Sequence, residues 1–140
     1  MDTKKEFKRI MAEQNEIALA TSVNNIPDVR IVNFYYDPDA NLLYFSTIKE
    51  NTKEKEMAEN PNVAFTTIPN KKFEHVKAHG KATKSSQTIF DMADKFVSKM
   101  PFYQHTLDTI GKTETLILYQ IKLEDARVTL SAGDSGSLDF

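Results

Sequence analysis

The sequence predicts a mainly β protein: an antiparallel Greek-key barrel of about six to seven strands, closed or partly split, with peripheral helices. Short runs rich in β-branched and aromatic residues recur along the chain, each bounded by Gly, Pro, Asn or Asp. The few segments with helical spacing lie outside the predicted hairpins. A chain of 140 residues suits one domain, residues 1–140, with a core of its own.

The first part of the chain predicts a helix followed by a hairpin. Residues 4–14 place apolar side chains at helical spacing, with charged residues between them. Residues 16–23 predict a strand, and residues 26–36 predict the strand that returns beside it. Asn24 and Asn25 tolerate the positive φ that a tight hairpin turn requires. We expect the helix to pack on the barrel and to carry no chemistry.

A second hairpin and a helix follow. Residues 29–36 and 42–47 flank the turn-forming sequence Asp-Pro-Asp-Ala-Asn, which indicates a hairpin with a longer loop. Residues 52–60 predict a helix with Asn51 as its N-cap and Glu54 three residues later.

The remainder predicts further β segments over residues 63–68, 73–83, 114–123 and 126–130. Apolar residues recur at helical spacing from Ser85 or Ser86, the candidate caps, as far as Pro101. Residues 102–110 predict another helical turn. The Gly- and Ser-rich residues 131–137 predict a flexible or partner-covering tail.

Alternation along residues 73–83 places His75, Lys77 and His79 on one face of a strand. This face is unusually polar for a buried surface. Gly80 on the opposite face predicts a bulge or the close approach of another backbone. Two histidines without a third convergent ligand are weak evidence for a metal ion, so we expect no metal site.

Composition and charge exclude several classes of protein. A net charge of -2 and a pI near 5.9 argue against a partner that is nucleic acid or an anionic membrane. The absence of cysteine excludes disulfides, thiolate metal sites and cysteine nucleophiles. The N-terminus is too polar for a signal peptide, and no apolar run approaches transmembrane length. We therefore expect a cytoplasmic protein.

Polar residues lie where a hairpin alone does not need them. Arg30 interrupts one predicted strand, Thr47 ends another, and Asn51, Thr52 and Lys53 precede a helix. Helix N–H groups with nearby hydroxyls and cations are the groups that a bound phosphate requires. The alternative is purely structural, because an Asn cap and a surface lysine occur at many helices.

These residues carry a resemblance to a known family. Arg30-Ile-Val, Tyr44-Phe-Ser-Thr47, Asn51-Thr-Lys53 and the following Asn60-Pro-Asn-Val-Ala-Phe occur in an order and spacing typical of one family. The chain resembles the pyridoxamine 5'-phosphate oxidase-like family of FMN-binding split barrels. It is most similar to the short members known as general stress proteins or nitroimidazole-resistance proteins.

The resemblance implies a homodimer with FMN at its interface, acting as an oxidoreductase on a small electron-poor substrate. Arg30 and Lys53 would hold the phosphate, with Thr47, Asn51 and Thr52 as hydrogen-bonding partners. Backbone groups of Ile31, Val32 and Asn33 would contact the ring, Ser46 would lie along the ribityl chain, and His75 and Lys77 would lie near the isoalloxazine.

The sequence is also compatible with other functions. The full-length vitamin B6 oxidases carry a C-terminal Arg-x-His segment, which the ending GDSGSLDF lacks, so true pyridoxamine phosphate oxidase activity is not expected. Relatives that bind the deazaflavin F420 or haem share this barrel. The chain would alternatively be a flavin-binding stress protein without turnover. A third alternative is a dimeric barrel that binds no cofactor and serves as an interaction module. Arg30 would then form a buried ion pair.

Overall fold

The computed structural model describes residues 1–70, 72–113 and 115–140, so Glu114, the predicted first residue of a strand, lies outside the described residues. The helices are α1 (Thr3–Glu13), α2 (Thr52–Glu59), α3 (Ala93–Lys99), α4 (Tyr103–Asp108) and α5 (Ile110–Thr113). The strands are β1 (Glu16–Val23), β2 (Ile26–Asn33), β3 (Tyr35–Asp37), β4 (Leu42–Ile48), β5 (Asn62–Thr67), β6 (His75–Lys84), β7 (Leu116–Ser131) and β8 (Asp134–Asp139). None of the helices in the described part of the chain is long and apolar enough to cross a membrane.

The described strands form one antiparallel sheet of eight strands. Their order is β2-β1-β5-β6-β7-β4-β3, with β8 paired to β7. The sheet curls so that alternate side chains of its strands form a common interior. The predicted fold class, a mainly β split barrel with peripheral helices, is confirmed, but the described residues form eight strands where six or seven were predicted.

Apolar packing on both faces of the sheet holds the helices in place. Inside the barrel, α1 contributes Phe7, Ile10 and Met11, which are almost completely buried. Outside it, α3 and α4 pack over Tyr44 of β4 and Leu118 of β7. Burial of one large apolar side chain contributes about 1.5–3 kcal/mol, so a few such contacts suffice to fix each helix.

The barrel is split between β2 and β4. β2 pairs with β1, and β3 pairs with β4 only from Leu42 to Tyr44. The edge of β4 from Phe45 to Ile48 therefore lies beside β2 without a ladder between these described strands. Alternate N–H and C=O groups on such edges are available to a ligand.

Strand β2 is shorter than predicted because the chain bends at Phe34. Phe34 is fully buried and donates its N–H to Asn15 O at 3.1 Å, outside any ladder. The predicted strand over residues 26–36 is thus divided into β2 and β3. The hairpin turn is confirmed, since Asn24 and Asn25 have φ of 52° and 62°.

The predicted start of the third helix is wrong. Helix α3 begins at Ala93, and no side chain caps it. Ser85 instead ends the β6–β7 ladder, where its N–H donates to Leu118 O at 2.9 Å. Ser86 follows in a bend, so the helical spacing of the apolar residues extends beyond the helix itself. The helical turn predicted over residues 102–110 is present as α4.

The prediction of a flexible tail is also wrong. Residues 134–139 form β8, which pairs with the end of β7. Gly136 lets β8 lie directly against Thr3 of α1, and Phe140 packs on Phe7 with ring centroids 5.3 Å apart. The Gly- and Ser-rich composition of this segment carries no strand pattern. Its strand could not be predicted locally, because the contacts that stabilise it come from distant residues.

The prediction for Gly80 is confirmed in both of its forms. The β6–β7 ladder shifts register between His79 and Gly80, as in a bulge. A Cβ on Gly80 would overlap Lys122 O and lie 2.7 Å from Ile121 Cγ2. Only glycine fits this approach of two backbones without a shift of β7.

Candidate cofactor cleft

A cleft of about 250 Å³ opens at the split between β2 and β4. The N-terminal turn of α2 and the helices α4 and α5 border it. It is lined by Glu16, Ile31, Val32, Asn33, Ser46, Thr47, Ile48, Asn51, Lys53, Tyr103, Thr106, Ile110 and Leu116. The lining combines apolar side chains with hydroxyls, amides, the carboxylate of Glu16 and the amine of Lys53, and such a mixture is typical of a small-molecule site.

Asn51 organises the entry into α2. Its Oδ1 accepts a hydrogen bond from Glu54 N at 2.9 Å, and its Nδ2 donates to Thr47 Oγ1 at 2.8 Å. The predicted N-cap is confirmed, and the same side chain ties the helix to the end of β4. Because the first turn of a helix carries partial positive charge, this end of the cleft favours an anion.

Lys53 supplies a cation to the cleft. Its Nζ lies 5.9 Å from the centroid of the Phe45 ring, and no described residue gives it a hydrogen bond or an ion pair. Burial lowers the pKa of Lys53, and the positive charge of Arg30 lowers it further. An anionic ligand would raise the pKa of Lys53 again, since its charge would stabilise the ammonium that burial and Arg30 disfavour.

Arg30 is engaged by other residues of the chain. Its Nη2 lies 2.7 Å from Glu56 Oε1 and 3.2 Å from Asp28 Oδ2, and its Nη1 donates to Thr21 Oγ1 at 2.8 Å. These contacts match the structural alternative for Arg30. Its charge acts on Lys53, so it borders the cleft without lining it. Its contact with a phosphate stays a prediction.

Tyr103 connects α4 to the cleft. Its hydroxyl forms a short hydrogen bond with Ser46 Oγ, and its ring packs on Phe96 with centroids 4.9 Å apart. Burial raises the pKa of Tyr103, and the Ser46 hydrogen bond partly opposes that rise. The phenol therefore stays protonated at neutral pH and can donate a proton to a hydrogen bond.

His75 and Lys77 lie on another part of the sheet. Lys77 is three strands away from Ile31 in the same cross-strand row, a separation of about 14 Å. It borders a separate pocket with Arg127, and the side chain of His75 lies on the same outer face. Within one chain the structure does not bring these two residues to the cleft.

Most of the predicted site residues do meet. The cleft is lined by Ile31, Val32, Asn33, Ser46, Thr47, Asn51 and Lys53 from the predicted set. Thr52 begins α2 with its side chain exposed beside the cleft. Tyr103, Thr106 and Ile110 were not predicted, because a short helix that packs across a sheet leaves no local pattern that names its neighbours.

The histidines of β6 have other contacts. His79 Nδ1 lies 2.9 Å from Asp125 Oδ1, and His75 Nδ1 lies 2.9 Å from Phe73 O. Across the described residues, no group of three or more His, Asp or Glu side chains is placed to hold a metal ion.

The sequence profile of the family Pyridoxamine 5'-phosphate oxidase-like matches residues 10–135. The match contains every residue that lines the cleft. The chain therefore belongs to the pyridoxamine 5'-phosphate oxidase-like family. No curated protein matches the chain.

Solved structures share the fold. General Stress Protein 26 from Bacillus anthracis str. Sterne has 18% identity and a TM-score of 0.74, with 98% of each chain covered. A heme binding protein from Mycobacterium smegmatis has 14% identity and a TM-score of 0.76, but this chain spans only 57% of its length while 97% of this chain is covered. An FAD-binding protein from Mesorhizobium loti has 15% identity and a TM-score of 0.65, with coverage of 87% of this chain and 90% of that one. At these identities the likeness shows the fold alone.

Proposed function

We propose that this chain is an FMN-binding flavoprotein, an oxidoreductase that acts on a small electron-poor substrate such as a nitro compound or a quinone. The observation that carries this proposal is the ammonium of Lys53, which has no ion-pair partner among the described residues and lies beside the first turn of α2, next to the strand edges of the split. The phosphate of FMN would bind the cation. The carbonyl and N–H groups of its ring would hydrogen-bond the backbone groups of the strand edges. When bound, FMN would supply hydride or electron transfer.

Each part of the cleft has a task in this proposal. Lys53 and the N–H groups at the start of α2 bind the phosphate, while Thr47 and Ser46 offer hydroxyls to the phosphate and the ribityl chain. Backbone groups of residues 31–33 hydrogen-bond the edge of the ring. Tyr103 and the apolar side chains of α4 and α5 exclude water from one side. The FAD-binding and heme binding relatives make a cofactor of this size a reasonable occupant of the fold.

Flavin suits the cleft better than haem. Haem iron requires an axial ligand from the protein, and within one chain the described residues that line the cleft include no His, Cys or Met, so such a ligand would have to come from His75 of a second copy. Tyr103 is the remaining oxygen donor of this kind, and its hydroxyl is already bound to Ser46. The amine and hydroxyls of the cleft instead match a phosphate on a sugar alcohol.

A second copy of the chain would complete the site. A cleft of about 250 Å³ is smaller than the 300–1,000 Å³ typical of sites for ligands of this size, so one chain would enclose part of FMN. The outer face of β1, β2 and β5 carries small or apolar side chains, namely Ala18, Ala20, Val29, Ile31, Ala64 and Thr66. Val29 is 63% exposed and Ile31 60%, an apolar surface suited to a partner.

This outer face connects the two groups of predicted residues. Ile31 lines the cleft at one side of the face, and Lys77 continues the same row on β6. A two-fold partner packed on this face would bring its own Lys77 and His75 toward the cleft. The homodimer thus accounts for site residues that lie far apart in one chain.

Titration with FMN and with riboflavin tests the cofactor. Riboflavin lacks the phosphate, so the ratio of the two affinities measures the phosphate site alone. We expect wild type to prefer FMN by about 10- to 100-fold, the value of one charge-assisted hydrogen bond. Lys53→Met should remove most of that preference. Lys55→Met, on an exposed position of the same helix, is the matched control and should retain it.

Equal affinities of wild type for FMN and riboflavin, or no quenching of flavin fluorescence by either ligand, would contradict the proposal. Mass spectrometry of any chromophore released from the purified protein distinguishes FMN from FAD, deazaflavin and haem. Reductant consumption with nitro and quinone acceptors then separates an oxidoreductase from a flavin-binding protein without turnover.

Sedimentation analysis tests the homodimer. Val29→Lys places a charge on the exposed outer face without touching the cleft lining, and we expect it to shift the protein to monomer. Phe102→Lys alters a residue that is 55% exposed on another surface and should leave the assembly unchanged. A wild-type monomer at all concentrations would exclude this part of the proposal.

A further inference from the structure

A second pocket, separate from the cleft, lies between α1, β3 and α3. Its volume is about 530 Å³, twice that of the cleft. It is lined by Met11, Ala12, Tyr35, Tyr36, Pro38, Asp94, Lys95, Ser98 and Lys99. None of these residues lines the cleft, so the pocket has no part in the cofactor site described above.

Aromatic and apolar side chains form much of this pocket. Tyr35 is held in place from below, because its ring packs on the buried ring of Phe96 with centroids 6.1 Å apart. Met11 is buried, and Pro38 lies at the rim. The ring of Tyr35 offers a planar ligand a partner for offset or edge-to-face packing, which contributes about 0.5–1.5 kcal/mol beyond simple burial.

Two amines give the pocket its charge. Lys95 Nζ lies 5.8 Å from the centroid of the Tyr35 ring and has no carboxylate partner among the described residues. Lys99 lies deeper, where its Nζ donates to Phe34 O at 3.0 Å and to Met11 O at 3.2 Å. The carboxylate of Asp94 opposes them, so the lining carries a net charge of about one positive unit when both amines are protonated.

Lys99 is costly to keep charged at this position. Burial lowers its pKa to about 7. The carbonyl oxygen of Phe34, which accepts from Nζ, and the Phe34 ring, whose centroid lies 3.6 Å from Nζ, only partly compensate for the lost water. An anion in the pocket would favour the ammonium. A desolvated cation on the wall of an apolar pocket is a recognised sign of a ligand site.

We propose that this pocket binds a small aromatic monocarboxylate, with its ring against Tyr35 and its carboxylate directed at Lys95 and Lys99. The single net positive charge favours a monoanion over a phosphate dianion, because Asp94 would repel the second charge. The proposal does not depend on flavin binding, since the two sites share no lining residue.

The test compares the affinities of benzoate and two close analogues. Each ligand is titrated into the full chain, and binding is monitored by the NMR chemical shifts of the protein. Benzamide keeps the ring and removes the charge, while cyclohexanecarboxylate keeps the charge and removes the aromatic ring. We expect benzoate to bind about 10-fold more tightly than benzamide, as one charge-assisted hydrogen bond implies. We also expect it to bind more tightly than cyclohexanecarboxylate.

Variants assign the two preferences to residues. Lys95→Met should lower the affinity for benzoate to about that for benzamide. Tyr35→Leu should lower the affinity for benzoate to about that for cyclohexanecarboxylate. Lys84→Met removes an exposed lysine at the end of β6 and should behave as wild type. Lys53→Met, in the cleft, should also leave benzoate affinity unchanged.

Three results would overturn the proposal: equal binding of benzoate and benzamide to wild type, no shifts at millimolar benzoate, or an equal loss of affinity in Lys84→Met and Lys95→Met. Loss of benzoate binding in Lys53→Met would overturn it too, because it would place the ligand in the cleft. Failure of FMN to bind, with benzoate binding intact, would reject the proposed cofactor and leave this site standing.

Discussion

Arg30→Met removes the guanidinium that joins β2 to α2, and we expect a large loss of stability. In the folded chain Arg30 Nη2 lies 2.7 Å from Glu56 Oε1, and Nη1 donates to Thr21 Oγ1 at 2.8 Å. Methionine keeps most of the aliphatic stem, so the substitution acts on the polar head. It leaves behind the carboxylate of Glu56, whose side chain is 15% exposed, and the buried hydroxyl of Thr21.

The size of the effect follows from these contacts. An exposed ion pair contributes about 0.2–1 kcal/mol, and this pair is better shielded, with Arg30 20% exposed. We therefore expect a coupling energy of about 1–2 kcal/mol between Arg30 and Glu56. The unpaired groups raise the total cost of Arg30→Met to about 2–4 kcal/mol. In a chain of this length that corresponds to a Tm lower by about 6–15 °C.

Urea unfolding of four proteins measures the coupling: wild type, Arg30→Met, Glu56→Gln and the double variant, all without added flavin at neutral pH. Lys55→Met serves as a control on the exposed side of α2 and should change the free energy of unfolding by less than about 0.5 kcal/mol. At high salt the coupling should fall only in part, because shielded pairs are screened less than exposed ones.

A coupling energy within about 0.3 kcal/mol of zero would refute the structural role of the ion pair. The ratio of FMN to riboflavin affinity then supplies a separate measurement. If Arg30 only stabilises the fold, the Arg30→Met variant should keep the wild-type ratio of FMN to riboflavin affinity at temperatures where the variant is folded. A lower ratio would instead show that Arg30 reaches the phosphate.

Three further predictions concern stability. Gly80→Ala should lower the free energy of unfolding by about 2–4 kcal/mol in thermal melts, because the new Cβ meets the Lys122 carbonyl oxygen; an unchanged Tm would contradict this. Asn51→Ala should cost about 1–2 kcal/mol by urea unfolding, and Asn51→Asp less, because Asp keeps the capping oxygen but loses the donor to Thr47. Burial lowers the pKa of Lys99 from its ordinary 10.5 to about 7, so between these values the unfolded chain binds more protons and stability rises with pH. Lys99→Met should flatten that rise between pH 7 and 9, and an unaltered slope would contradict the assignment.

Features with local causes were predictable from the sequence. The cap at Asn51 depends on a partner three residues away, and the hairpin turn at Asn24 and Asn25 depends on two backbone angles. The alternation that faces Lys77 outward and Gly80 inward is likewise a property of one strand. In the cleft, Thr47, Asn51 and Lys53 were predicted from polar residues beside a helix start, whereas Ile31, Val32, Asn33 and Ser46 were predicted from the resemblance to the family.

Features with distant causes were not predictable. Strand β8 depends on β7 and on α1, so its own composition resembles a tail. Tyr103 reaches Ser46 across 57 positions of sequence. The ion pair of Arg30 shows a further limit, because a lone arginine in a strand reads equally well as a ligand contact or as a partner for a distant carboxylate. Only the position of Glu56 on α2 separates the two readings.

The edge formed by β2 has a consequence for how the protein behaves when concentrated. Pro27 has no N–H to offer an incoming strand, and Asp28 adds an exposed charge next to it. Such residues act as gatekeepers, because they discourage another chain from extending the sheet edge to edge. Val29 and Ile31 meanwhile remain exposed on the face of the sheet. The chain can therefore display an aliphatic surface for face-to-face assembly while resisting fibrillar growth, and concentrated samples should contain discrete particles that do not bind amyloid dyes.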